Sequence, residues 1–346
     1  MSLPALAISG SGMVSGVGLN APASCAAIRA ALDNFQETRF MDRGGEWILG
    51  CTVPLEQPWR GRTRLVKMLA MALAECLGSG PGLEPAKTPL MLCLAETGRP
   101  GRLEGIDNEL FLETERELGV RFHDKSRIIA QGRVSAAVAL HHARQLMAGG
   151  DIEKIIVAGV DSLLTGPTLA AYEEHERLLT SQNSNGFIPG EAAAAILVEA
   201  ARPTSQPQLI CTGIGFGIEK ATIDSEEPLR ADGLVQAFRS ALADAGTDMG
   251  QMDFRITDLS GEQYGFKEAS LALSRTLHKR KEEFDIWHPA DCIGEVGAAI
   301  GPVLLAVADA SARKGHTPGN NILCHLGSDE GKRVAMVLRY QPGRTA

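Results

Sequence analysis

Aromatic side chains are scarce in this chain of 346 residues: 3 Trp, 3 Tyr and 10 Phe make up 5% of it. Such a supply leaves little to stack on nucleic-acid bases. Excess positive charge is missing too, since 34 Lys and Arg stand against 42 Asp and Glu for a net charge of −8. An acidic chain repels a polyanion at long range, so no nucleic-acid partner is expected. The densest basic stretch, His278-Lys279-Arg280-Lys281, runs straight into Glu282, Glu283 and Asp285 and reads as a solvated mixed surface. Long apolar runs are absent: the greasiest, Gly297 to Ala308, falls well short of the roughly 20 residues that span a bilayer and contains Pro302. The first basic residue is Arg29, so the basic-then-apolar order of a secretory leader is not present, and no membrane partner is expected. Seven cysteines, an odd number without any CxxC, give neither a disulfide framework nor a zinc knuckle. A reducing, cytoplasmic setting suits them.

What is present is an ordinary globular mixture, 44% hydrophobic and 22% charged, rich in glycine at 38 residues. At about 150 residues per domain the length allows two domains or one duplicated unit. The sequence favours duplication. An apolar stretch from Pro4 to Gly18 carries Ser9-Gly10-x-Gly12, and Pro207 to Asp224 carries Thr212-Gly213-x-Gly215; both read as strands broken by glycine turns and followed by Ala-rich helices. A second echo pairs Gly132-Arg133-Val134-Ser135-Ala136-Ala137 with Gly294-Glu295-Val296-Gly297-Ala298-Ala299. Each opens a helix apolar nearly all round, which belongs inside a layered protein. Each helix precedes a β-type run, at Lys154–Gly159 and at Asn321–Cys324. Two halves, 1–203 and 204–346, joined across the Pro- and Ser-rich Ala201 to Gln208, give an α/β sandwich with more layers than a doubly wound sheet.

Short motifs yield little chemistry. Gly10-x-Gly12 lacks the third glycine at dinucleotide-loop spacing, so a structural turn is expected and no cofactor. Neighbouring His141 and His142 point about 100° apart on a helix and cannot hold one metal from a single face. His288 and Cys292 have helical spacing but Pro289 between them, which argues against a metal site. Glu113, Glu115 and Glu117, like Glu173, Glu174 and Glu176, read as solvated helix faces.

Two blocks say more. Gly150-Asp151 followed by Lys154 to Ser162, then Gly186-Phe187-Ile188-Pro189-Gly190-Glu191-Ala192-Ala193, resembles the β-ketoacyl synthases of the thiolase superfamily. Ile293-Gly294-Glu295-x-Gly297-Ala298-Ala299-x-Gly301 is similar to that family's G-H-x-x-G-A-A-G. The resemblance runs from about Leu6 to Arg339, patchily outside these blocks, and implies a thiolase-like, duplicated five-layer αβαβα sandwich that dimerises.

Carried onto this sequence, the family's catalytic set is replaced. The nucleophilic cysteine's place falls on Arg133, the first histidine's on Ser260 and the second histidine's on Glu295. The loop lining the acyl channel becomes Gly327-Ser328-Asp329-Glu330-Gly331. A guanidinium is no nucleophile, and condensation needs a thiolate with imidazoles that donate to developing oxyanions. An anion at Glu295 opposes that charge. The expectation is a pseudo-synthase in which Arg133 and Glu295 form an ion pair. Cys292, near the same helix entrance, is a weak candidate for a displaced nucleophile, though a small buried cysteine is the commoner case. The resemblance implies binding as the role, either as a silent subunit in a homodimer or a heterodimer with a related synthase, or as an accessory or adaptor protein of the kind found in bacterial toxin-secretion clusters, contacting an effector. The charged loop Gly327–Gly331 tilts the reading toward the second. An acyltransferase with a displaced site around Cys292, Ser260 or Glu295 is the enzymatic rival.

Overall fold

The computed structural model describes residues 3–80 and 82–343. The first half of the chain forms β1 (Leu6–Ser15), α1 (Ala21–Arg29), a hairpin of β2 (Phe35–Met41) and β3 (Trp47–Cys51), α2 (Gly61–Ser79), β4 (Leu90–Leu94), α3 (Asn108–Leu118), β5 (Arg127–Ala130), α4 (Ser135–Ala148), β6 (Lys154–Ser162), α5 (Gly166–Glu174) and β7 (Glu191–Ala200). The second forms β8 (Gln208–Ile218), α6 (Asp232–Asp244), β9 (Phe254–Thr257), α7 (Gln263–Thr276), β10 (Ile286–Trp287), α8 (Ala290–Ile293), α9 (Ile300–Arg313), β11 (Asn321–Gly327) and β12 (Lys332–Gln341).

Ten strands run in the order β10-β9-β11-β12-β8-β1-β7-β6-β4-β5. Read from either end, the order places equivalent strands of the two halves at mirrored positions. Within the sheet the halves join where Leu6–Ile8 of β1 pair antiparallel with Leu209–Cys211 of β8. Helices α4 and α9 lie between the two five-stranded halves, α2 and α3 cover one outer face, and α6 and α7 cover the other. This is the expected five-layer α/β sandwich. Strand β6 shows why both faces must be apolar: Ile155 and Val157 point into the central layer, while Ile156, Ala158 and Val160 point to the outer helices. The central helices are buried as their uniform apolarity predicts. In α9 every residue from Ile300 to Asp309 is buried.

The glycines of the first echo are not turns. Gly10 and Gly12 lie within β1, and Gly213 and Gly215 within β8. A Cβ on Gly12 would come 2.1 Å from the Ala72 carbonyl oxygen of α2, and one on Gly213 would come 2.2 Å from that of Ala241 in α6. Each glycine lets an outer helix lie directly on the strand. Gly215 makes the same approach, 2.2 Å from the Ala237 carbonyl oxygen, and β1 and β8 are each bulged just before the first glycine, at Ser9 and Thr212, in keeping with the pairing of Gly10 with Gly213. Alternating glycines made the turn reading tempting, but backbone approach is the reason for them.

The supposedly solvated carboxylates on α3 bridge to α2, where Arg62 meets Glu113 at 2.7 Å and Lys67 meets Glu117 at 2.6 Å. All seven cysteines are free and buried. No helix among the described residues is long and apolar enough to cross a membrane.

Candidate functional site

Each central helix is led in by one 3-10 turn, Gly132–Val134 before α4 and Gly297–Ala299 before α9, and the two turns touch. Both open on a left-handed glycine, Gly132 at φ +58° and Gly297 at φ +53°. A Cβ on Gly132 would lie 2.1 Å from Glu96 Oε2, and one on Gly297 would lie 2.1 Å from Asp161 Oδ2, so carboxylates press on both turns. Gly132 and Gly297 are thus counterparts, not Gly132 and Gly294. Gly294 also has positive φ, +71°, and two such glycines three residues apart hide the register in the sequence. Arg133 and Glu295 are not equivalent positions, yet they meet.

Arg133 Nη1 donates to Glu295 Oε2 at 3.1 Å, and its Nη2 donates to Asp329 Oδ1 at 2.7 Å. Its Nε stands 3.6 Å from Asp258 Oδ2. Arg177 forks onto Glu262 at 2.7 and 2.8 Å and donates to Asp329 Oδ2 at 2.8 Å. Arg99 forks onto Glu96 at 2.7 and 2.8 Å and reaches Asp161 Oδ2 at 3.2 Å. Backbone N–H groups add to these carboxylates: Gly297 donates to the other oxygen of Glu295 at 2.9 Å, while Ala298 donates to Asp161 Oδ2 at 2.9 Å and Gly327 to Asp258 Oδ2 at 3.0 Å, the oxygens that face Arg99 and Arg133. Carboxylates at the open N–H groups of a helix lead-in are favourable in their own right.

Burial drives the electrostatics. It holds the Asp258 and Glu295 carboxyls above their ordinary range, and Arg133 only partly offsets it. Burial pushes Asp329 the same way, but Arg133 and Arg177 outweigh it and hold that carboxyl well below the usual range. Burial also opposes the charge on Arg133, and Asp329, Glu295 and Asp258 together overcome it. Little room is left. A cavity of about 10 Å³ lies beside Tyr172 and Glu295, and one of about 60 Å³ lies beside Asp258, Ser260 and Tyr264. Since one water occupies about 10–15 Å³ on this measure, the space suits a few waters and no acyl chain. Chemically the cluster is a cross-link between the two halves of the chain.

The structure thus brings Arg133, Glu295 and Ser260 to one cleft. Ser260 lines it, but no imidazole bonds to its hydroxyl among the described residues. His325, on the same cavity wall, bonds Thr257 Oγ1 at 3.2 Å, and burial with Arg255 and Arg333 pushes its pKa down to about 3, too low for a general base at neutral pH. Cys292 opens elsewhere, on a cavity of about 430 Å³ beside Trp287 and His288. Burial, with Asp291 and Asp33, pushes its thiol up to about 11. No group of three His, Cys, Asp or Glu among the described residues is placed to hold a metal.

Sequence reasoning missed Arg99 and Arg177. The second hides at the end of Glu173-Glu174-His175-Glu176, where Glu176 at φ +54° turns the chain so that Arg177 enters the cleft. The inward turn of Asp329 was hidden as well, since a charged loop reads as surface.

Residues 134–203 match the family model of the β-ketoacyl synthase N-terminal domain. Among solved structures of similar fold is the ishigamide ketosynthase/chain length factor, 21% identical with a TM-score of 0.69, the match covering 97% of this chain and 99% of that one. A second is the ketosynthase ApeO in complex with its chain length factor ApeC from Xenorhabdus doucetiae, 14% identical with a TM-score of 0.74 over 98% of each chain. A third is a β-ketoacyl synthase from Burkholderia phymatum, 15% identical with a TM-score of 0.72, covering 99% of this chain and 100% of the other. The chain thus has the fold of these ketosynthases, and its residues 134–203 are similar to the β-ketoacyl synthase N-terminal domain.

Proposed function

We propose that this protein is a non-condensing, ketosynthase-like subunit that acts in the cytoplasm by binding, and that its partner is a catalytically active ketosynthase. The observation that carries the reading is Arg133, held by Glu295, Asp329 and Asp258 where the family resemblance puts the nucleophile. No thiolate can form there, and the anions around it oppose an oxyanion. Two of the similar structures are ketosynthases with a chain length factor, as their descriptions state. A subunit of that kind needs the fold and the dimer surface but no chemistry of its own.

The loop Gly327–Gly331 no longer separates a silent subunit from a secretion accessory protein. Its Asp329 is used internally, on Arg133 and Arg177, and its exposed Glu330 pairs with the neighbouring Lys332, so the charge of the loop does not choose between the two roles. Co-purification of the tagged chain from its native host tests the reading. A ketosynthase in stoichiometric yield supports it. An effector or adaptor in that place, with no synthase, overturns the choice of partner and moves the chain to the accessory role.

A further inference from the structure

Among the described residues five arginines are buried: Arg99, Arg144, Arg177, Arg255 and Arg333. Four are answered by carboxylates, Arg99 by Glu96 and Asp161, Arg144 by Asp244, Arg177 by Glu262 and Asp329, and Arg333 by Glu268. Arg255, on β9, is 7% exposed and pairs with no carboxylate among the described residues; its Nε is buried without a hydrogen-bond partner. The guanidinium lies over the ring of Phe284, 5.1 Å from its centroid, and the Lys281 ammonium stands 4.8 Å from the same ring. Arginine is almost never this buried unless paired, because the lost hydration must be replaced. One aromatic face replaces only part of it. Nothing offsets burial at this residue, which draws its pKa below the usual arginine range.

The surroundings supply more cations. The loop between α7 and β10 carries the run His278-Lys279-Arg280-Lys281; Lys279 and Arg280 are exposed and Lys281 is half-buried. Glu282 and Glu283 follow, but both are exposed and neither bridges to Arg255. A second unanswered group lies on the same face of the sheet. In the parallel pairing of β9 with β11, Arg255 opposes Leu323 and Thr257 opposes His325, and the buried Nε2 of His325 also lacks a partner.

We propose that Arg255, with Lys281, Lys279 and Arg280, forms a binding site for a phosphate group, separate from the ion pairs of Arg133. The guanidinium provides the buried, directional donors. Lys279 and Arg280 draw the anion in, the Phe284 ring holds Arg255, and that ring together with the Met252 carbonyl, to which its ammonium donates, holds Lys281. The phosphate belongs to a small molecule, either free phosphate or a phosphate monoester.

Thermal unfolding of the full chain in sodium phosphate, against sodium chloride at equal ionic strength, is the test. Phosphate raises the wild-type Tm by at least about 2 °C. Arg255→Leu abolishes that difference and, in chloride, unfolds at or above the wild-type temperature, because an uncompensated buried charge has gone. A Leu variant that is less stable in chloride, or that keeps the phosphate effect, overturns the proposal. Should the Leu variant fail to fold, Lys279→Ala with Arg280→Ala changes only exposed residues. It weakens phosphate about tenfold, and an unchanged midpoint refutes the site. Repeating the titration with glycerol 3-phosphate identifies the source: tighter binding than inorganic phosphate marks a monoester, equal or weaker binding marks the free ion.

Discussion

Arg133 and Glu295, 162 residues apart in the chain, meet at 3.1 Å where the lead-in turns of the two central helices touch. The pair is unequal in what each partner loses. Without Glu295, Arg133 keeps Asp329 at 2.7 Å and Asp258 at 3.6 Å. Without Arg133, the buried Glu295 and Asp258 have no cation left within salt-bridge reach among the described residues.

That asymmetry sets the first prediction. Arg133→Ala costs about 3–5 kcal/mol, because it leaves buried carboxylates unpaired. Glu295→Ala costs less, on the order of 1–2 kcal/mol for the lost bond to the Gly297 N–H and the lost pairing. The double variant is better than additive, with a coupling of at least about 1 kcal/mol by denaturant unfolding. Strict additivity means that the two side chains do not communicate.

Much of this was legible and some was not, for reasons that differ by residue. A sandwich with more layers than a doubly wound sheet could be read from the apolarity of Val134–Met147 and Val296–Ala308 and from the repeated strands, since burial on every side leaves few alternatives, and the five-layer form came from the resemblance. The contact of Arg133 with Glu295 followed from the resemblance, although the register argument beneath it was three residues out. Arg99, Arg177 and Asp329 could not be found, because an inward-turning charge differs from a surface charge only through backbone geometry elsewhere. A positive φ at Glu176 leaves no mark in composition or periodicity.

The thiols provide a second prediction. All seven are buried, and burial pushes Cys25, Cys51 and Cys76 up to about 12 and Cys292 up to about 11. The native protein therefore shows no fast thiol toward a disulfide reagent at neutral pH, and seven appear in denaturant. Cys292, which faces a cavity, is the first to react. Incubation with acyl-CoA and acyl-carrier-protein thioesters leaves the intact mass unchanged under conditions that acylate an authentic synthase. An adduct that vanishes in Cys292→Ser restores the enzyme reading.

Stability should pass through a maximum in mildly acidic solution. The Glu295, Asp258 and Glu268 carboxyls are raised in the folded state, mainly by burial. The native state binds more protons there than the unfolded one, so stability falls as pH rises through their folded pKa values. Asp329 is depressed against burial by Arg133 and Arg177, so its contribution is present above its unfolded value near 3.8 and is lost as pH falls through the folded one. Tm accordingly rises as pH falls from neutrality toward the ordinary carboxylate range and drops once pH falls below that range. Glu295→Gln flattens the neutral limb while leaving the acid limb in place. A variant with an unaltered neutral limb would show that Glu295 does not titrate differently on folding.

The lead-in turn can be tested through its glycine. Gly132 and Gly315 both have positive φ, +58° and +68°, but only Gly132 is crowded, with Glu96 Oε2 2.1 Å from where a Cβ would sit; nothing lies within 4 Å of that position at Gly315. Gly315→Ala therefore reports left-handed strain alone, about 1–2 kcal/mol. Gly132→Ala adds the displacement of Glu96 from its fork on Arg99, which makes it the costlier change by about 1–2 kcal/mol. Removing the obstructing carboxylate separates the two terms. In a Glu96→Ala background Arg99 keeps Asp161 at 3.2 Å, and there Gly132→Ala costs no more than Gly315→Ala. If the extra cost persists without Glu96, the tightness of the turn comes from its backbone, and the carboxylate pressing on Arg133's helix entrance is not what fixes it.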